Sequence, residues 1–300
     1  MPFSDLDPRV VAVLRGIASS YADRFAGESL FPSLQQATRA PSPSLKEIRA
    51  AFAAPYRCLL AFYAHYAFAR RGREREEMGS IAAAALKRTC GEADFPRLLR
   101  QEDGSELWRQ FQAVCAERGR KSHEQLNRGL IAGMLELAQE VYQLDGVGSI
   151  AGWIVQSVMQ TGQLEAPFLR IVDIRGVGPK TTSTFLRDTA FLFGMEDQID
   201  PQDRLYLQPV DKWLRLFAAV VAPELHGADP VDWIVAGKVA KYARKAGVSG
   251  VRFNMGATYF GAKEVREPSN FEGALERWLG EVRRPPDPVE GADGARFRRG

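Results

Sequence analysis

Three observations predict an all-α fold. Apolar residues recur at helical spacing along almost the whole chain, alternating strand-like runs are scarce, and the breaks between apolar stripes carry Gly, Pro, Ser or Asp. A chain of 300 residues with 45% hydrophobic content can bury a core of one large or two medium domains. The formal net charge of +3 permits nucleic acid as a partner without requiring it.

In chain order, Val10, Val11, Leu14 and Ile17 form the first apolar stripe, and the Pro-Ser-Pro-Ser run at 41–44 is a loop. Residues 55–69 form an aromatic-rich helix. The charge run at 70–77 caps a helix, crosses solvent and marks a junction. Helices follow at Leu130 to Leu144, Ile150 to Gln160 and Pro167 to Ile174, separated by turns at Gly146, Gly148 and Gly162. Residues 194–206 are acidic and rich in turn formers, so a loop is expected before the helix that Asp211 opens. Further helices are expected from about Pro230 to Ala246, around Phe253 to Phe260, and from Phe271 to Trp278. The Pro, Gly and charge content of 281–300 predicts a disordered tail.

Cysteines occur at 58, 90 and 115 only, which fits buried thiols rather than a disulfide framework or a metal site. His65, His123 and His226 lie in separate segments, so no transition metal is expected. With no basic leader and no apolar run of bilayer length, a cytoplasmic monomer is expected, with no membrane partner.

Residues 174–187 (IRGVGPKTTSTFLR) carry the most information. They predict a helix, a glycine hairpin and a second helix starting at Pro179, spanning about 167–193. Pro at the first helical position fixes φ where no N–H is needed. The unpaired amides of that first turn then face a phosphate. On the second helix, Phe185, Leu186, Thr189 and Phe193 share one side, while Lys180, Thr184 and Arg187 fall on the other.

"IRGVGPKT" followed by "LQPVDKW" resembles the helix-hairpin-helix DNA glycosylase superfamily, over about residues 150–260. The resemblance implies two helical lobes with a cleft between them. Residues 1–80 together with 200–280 would form one lobe, and 81–199 a barrel-like lobe carrying the hairpin. It implies base-excision repair of DNA, in which a damaged or modified base flips from double-stranded DNA into the cleft and its N-glycosidic bond is cut. Gly176, Val177, Gly178, Lys180 and Thr181 would hold a DNA phosphate. The carbonyls of Val172, Ile174 and Val177 would hold a structural monovalent cation, K or Na. Lys180 matches the family's Schiff-base lysine, whose neutral amine attacks the sugar C1′ and adds AP lyase activity; the alternative is a plain phosphate contact. Asp211 matches the family's carboxylate, which stabilises positive charge on the sugar, and it also suits an N-cap.

Lys180 and Asp211 are 31 positions apart, a wide spacing shared with the archaeal 8-oxoguanine glycosylases, so an oxidised purine is the expected substrate. The insertion could instead bring Asp200 or Asp203 to the cleft. No four-cysteine cluster follows Asp211, so an iron–sulfur cluster is not expected. Lys212, Arg215, Lys238, Lys241, Arg244 and Lys245 are candidates for the DNA-facing surface. Trp153, Tyr206 and Gln208 are candidates for the base pocket, with core packing the alternative for Trp153. A monofunctional glycosylase using water activated by Asp211, and a non-catalytic DNA-binding protein that keeps the hairpin, are the competing readings.

Overall fold

Side-chain caps set where many of the helices begin. The computed structural model describes residues 6–68, 74–100, 104–144 and 146–282, and these contain no β-strand. Asp7 accepts from Arg9 N (2.7 Å) to open α1 (Pro8–Phe25), which continues through a π-helical turn into α2 (Phe31–Thr38). Ser44, in the expected loop, caps α3 (Leu45–Ala53). The aromatic-rich segment is α4 (Pro55–Ala61) followed by a π turn over Phe62–Ala67. The expected junction at 70–77 falls largely outside the described residues; α5 (Glu74–Thr89) starts within it.

Next come α6 (Phe95–Leu98), α7 (Ser105–Glu117) and α8 (Glu124–Tyr142). Ser149 caps α9 (Ile150–Thr161) and also donates to Phe52 O at 2.7 Å, tying it to α3. After α10 (Glu165–Val172) and α11 (Pro179–Phe193), two short 3-10 turns occupy the stretch expected to be loop. The chain ends in α12 (Lys212–Val221), α13 (Asp232–Lys245), α14 (Gly250–Tyr259) and α15 (Phe271–Val282). The expected tail lies outside the described residues beyond 282.

Buried apolar side chains form two clusters. The first runs from Ala22 to Leu207 and takes in Val251 and Met255 of α14. The second joins α1, from Val10 to Tyr21, to residues from Val210 to Leu279. This division differs from the expected grouping of 1–80 with 200–280. Leu30, Phe52, Phe62 and Tyr66 pack with the 81–199 segment, while α1 supplies the buried side chains that join the C-terminal helices. The reason is aromatic packing: Phe52, Phe62 and Tyr66 surround Phe185 of α11, with ring centroids 5.1–6.1 Å apart.

The turn between α10 and α11 sits against α8 because α8 carries glycines where it touches. A Cβ at Gly129 would lie 2.9 Å from Arg175 Cβ, and one at Gly133 would lie 2.7 Å from Ile174 Cγ2. Two missing side chains one helical turn apart thus make the seat for the turn. No helix among the described residues is long and apolar enough to cross a membrane.

Candidate active site

From the end of α10 the chain folds back through two short hydrogen bonds, Ile174 N to Ile171 O (3.2 Å) and Val177 N to Ile174 O (2.9 Å). Gly176 takes φ +94, outside the range that a residue with a Cβ adopts at low cost. Gly178 is the N-cap of α11 and Pro179 its first residue. Thr182 N and Thr182 Oγ1 both donate to Gly178 O (3.0 and 3.2 Å). Pro179 has no N–H, and the Lys180 and Thr181 amides belong to the first turn, which has no preceding helical turn to accept from them.

Lys180 is exposed, and its carbonyl is held by the Thr184 hydroxyl (2.8 Å). Ile174 O spends one of its two lone pairs on Val177 N, so of the three carbonyls expected to hold a monovalent cation this one has a single acceptor site left. Among the described residues, no group of three or more His, Cys, Asp or Glu side chains is placed to hold a metal ion.

Asp211 is the N-cap of α12, in extended backbone, with Oδ1 accepting from Leu214 N at 2.8 Å. Among the described residues Oδ2 has no hydrogen bond. Lys180 and Asp211 line the same cavity of about 670 Å³, together with Gly176, Val177, Gly178 and Thr181. Its walls come from both buried clusters: Leu30, Tyr66 and Val177 belong to the first, and Asp211 and Asp232 open helices of the second.

A buried polar bridge, part of which lines this cavity through Arg187 and Tyr66, sets the two candidate elements in register. Arg187 of α11, 4% exposed, grips Asp188 Oδ1 through Nε and Nη2 (2.9 and 2.7 Å). Its Nη1 donates to Asn254 Oδ1 of α14 at 2.9 Å, and Asn254 Nδ2 donates to Gln208 Oε1 at 3.2 Å. The chain from Lys180's helix to the segment leading into Asp211 therefore passes through three side chains. The Tyr66 hydroxyl completes the group by donating to Asp188 Oδ2 (3.1 Å). Burial, and then the neighbouring Asp188 carboxylate, hold the Tyr66 phenol well above its ordinary pKa, so it stays a donor. Burial raises Asp188 as well, against the pull of Arg187. Arg187 lines the cavity with Lys180 and Thr184, on the side of α11 that helical spacing predicts, yet it is almost fully buried; a partner at the next position makes that burial tolerable.

The other expected residues stand elsewhere. Asp203 caps α10, accepting from Leu164 N (2.6 Å) and Glu165 N (3.1 Å), and Asp200 lines a separate concavity with Lys241 and Arg244. Neither reaches the cavity of Lys180, so of the carboxylates weighed from the sequence Asp211 is the one found there. Trp153, Tyr206 and Gln208 do not line it either. Trp153 packs against the first cluster, Tyr206 stacks on Phe168 (4.5 Å between centroids), and Gln208 is buried in the bridge. Arg215 is bound by Asp232 and Pro230 O, and Lys238 by Glu224 (2.6 Å), which removes both from the free cations. Lys212 Nζ lies 4.4 Å from the Trp213 ring centroid.

Cys58 and Cys115 are buried as expected, whereas Cys90 is only partly so. Two features had no clear signal in the sequence. Asn254 looks like any polar residue in an apolar helix. Trp233 is 68% exposed, one position along from Asp232 at the cavity wall, where an amphipathic helix would ordinarily turn an indole inward.

Comparison of the chain with protein-family models, with curated proteins and with solved structures finds no match.

Proposed function

We propose that this protein is a DNA glycosylase of the helix-hairpin-helix kind with an associated AP lyase activity, acting as a monomer on double-stranded DNA in the nucleoid. On this reading the two buried clusters are the cores of two lobes, and the cavity is the cleft between them. The observation that carries the reading is that Lys180 and Asp211, 31 residues apart in the chain, line one cavity with the glycine turn.

The amides of the α11 first turn hold a backbone phosphate and bring the flipped nucleotide to the cavity. Neutral Lys180 Nζ attacks the sugar C1′ while the C1′–N bond breaks, and the base leaves with the bonding pair and takes up a proton. Asp211 is aimed by its cap at Oδ1. Its free Oδ2 faces the positive charge that develops on the sugar, and it accepts the proton that the attacking amine sheds. The C1′–O4′ bond then breaks as the nitrogen lone pair forms the C=N bond and O4′ takes the proton held by Asp211; the resulting ring-opened Schiff base loses a C2′ proton and expels the 3′ phosphate, which nicks the strand. Exposed Trp233, beside the cavity wall, offers an aromatic face for stacking a base, the role expected of Trp153 or Tyr206.

The position of Lys180 in the first turn, among amides suited to a phosphate, also favours a second reading. In that version Lys180 only binds phosphate, and Asp211 activates water in a monofunctional enzyme. A panel of duplexes, each carrying one altered base, tests the shared claim. Release of a free base, with an oxidised purine as the expected substrate, supports it; release from none of them overturns it.

A further inference from the structure

A second groove, of about 700 Å³, adjoins the Lys180 cavity, and Ser33 and His65 line both. Its wall carries Arg39, Lys87 and Arg118 and no carboxylate. Arg118 is steadied by the Ser80 hydroxyl (3.1 Å), and none of the three cations is in an ion pair among the described residues. The arginines beside them in sequence or space behave differently. Arg88 is bound by Glu117, Arg120 by Glu77, and Arg57 by Glu92. Carboxylates are therefore at hand in this region, yet among the described residues none is within ion-pair distance of the three cations that face the groove.

Lys87 and Arg39 are close enough that the guanidinium, after burial, lowers the Lys87 ammonium from its ordinary pKa. Two like charges held close together, with no ion pair of their own among the described residues, form a site that an anion relieves. Arg39 also sits at a left-handed position (φ 57, ψ 36) that closes α2 and ordinarily suits glycine.

We infer that this groove is a phosphodiester track, in which Arg39, Lys87 and Arg118 bind successive phosphates of a DNA strand that continues from the Lys180 cavity. The inference rests on the DNA-binding part of the proposed function, and it adds a second set of backbone contacts on one side of the flipped nucleotide. An extended polyanion fits better than a single small anion, because the groove is open at the cavity end and its cations are spread over three elements, the α2 terminus, α5 and the α7 terminus.

The test is fluorescence anisotropy of the full chain with a duplex carrying a stable abasic-site analogue, titrated over a salt series. It compares the wild type with Arg39→Gly, Lys87→Gln and Arg118→Gln, singly and combined. Glycine fits the backbone at 39 and glutamine is well tolerated on helices, so the variants fold, which circular dichroism checks. Each lost phosphate contact lowers the slope of log K against log salt by roughly 0.9, so the triple variant should lose about 2 to 3 from the slope and bind at least about tenfold more weakly. Trimming the flank that lies in the groove should weaken the wild type and leave the triple variant unchanged. If the wild type binds the duplex and the triple variant matches it in affinity and slope, the track is overturned while the glycosylase reading stands. If the wild type binds inorganic phosphate or anionic phosphatidylglycerol vesicles but no duplex, both are overturned.

Discussion

Asp211 carries two roles that substitution can separate. Its Oδ1 caps α12 through Leu214 N at 2.8 Å, and its carboxylate charge serves the proposed chemistry. In Asp211→Asn the amide oxygen can make the same cap, and the lost charge at a helix N-terminus costs about 0.3–1 kcal/mol. At about 2–4 °C per kcal/mol, the melting temperature should fall by no more than a few degrees. Asp211→Ala loses the cap as well, for a further cost of about 1 kcal/mol. Chemistry should separate the pair from the wild type far more sharply. Removing a proton acceptor and electrostatic partner lowers the rate by about 10²–10⁴, equivalent to about 3–5 kcal/mol of barrier at 1.36 kcal/mol per tenfold. The assay is single-turnover base release with enzyme in excess, alongside thermal melts of both variants. Two slow variants, of which only Ala is clearly destabilised, fit the dual role. Base release by Asp211→Asn within tenfold of the wild type would refute the reasoning.

Three further outcomes are expected. Arg187→Met strands the buried Asp188 carboxylate and should cost about 3–5 kcal/mol in urea unfolding; a cost below about 1 kcal/mol would show that the bridge does not hold α11 in place. Gly133→Ala puts a Cβ 2.7 Å from Ile174 Cγ2, so the turn must shift, at about 1–3 kcal/mol and with weaker binding to duplex DNA; wild-type stability and affinity together would count against the seat on α8. The Lys238 hydrogen bond lowers Glu224 to about 2, so this pair stabilises the fold above the unfolded carboxylate pKa and loses its effect as pH falls through about 2. The pair lies at the surface, about a third exposed, so Glu224→Gln should cost under about 1 kcal/mol at pH 7, with the cost shrinking as pH falls toward 2 and vanishing below it, and a difference that does not shrink in acid would contradict the assignment.

Much of the fold was legible because helices announce themselves locally. Pro179, Asp211 and Gly162 mark ends where the structure has them, and the apolar period supplies the stretches between. Asp203 was legible as a turn former and as an alternative carboxylate for the cleft; that it caps α10, some forty residues earlier, depends on how the chain returns. Arg187 shows the limit of helical periodicity. Its position on the α11 wheel matches Lys180 and Thr184, but α14 covers that end of the helix and brings Asn254 to meet it. Trp153 and Tyr206 illustrate a related limit: both are amphipathic, and only tertiary packing decides that Trp153 meets the first cluster and Tyr206 stacks on Phe168 rather than lining the cavity. The link between the π turn after α4 and Phe185 is made of aromatic contacts far apart in sequence, which helical periodicity does not announce.

Reduction with borohydride during turnover on the substrate duplex tests the central claim most directly. The wild type should give a single covalent protein–DNA adduct whose attached peptide contains Lys180, and Lys180→Gln should give none. Base release that proceeds without any adduct, or an adduct mapped to a different amine, would contradict the account.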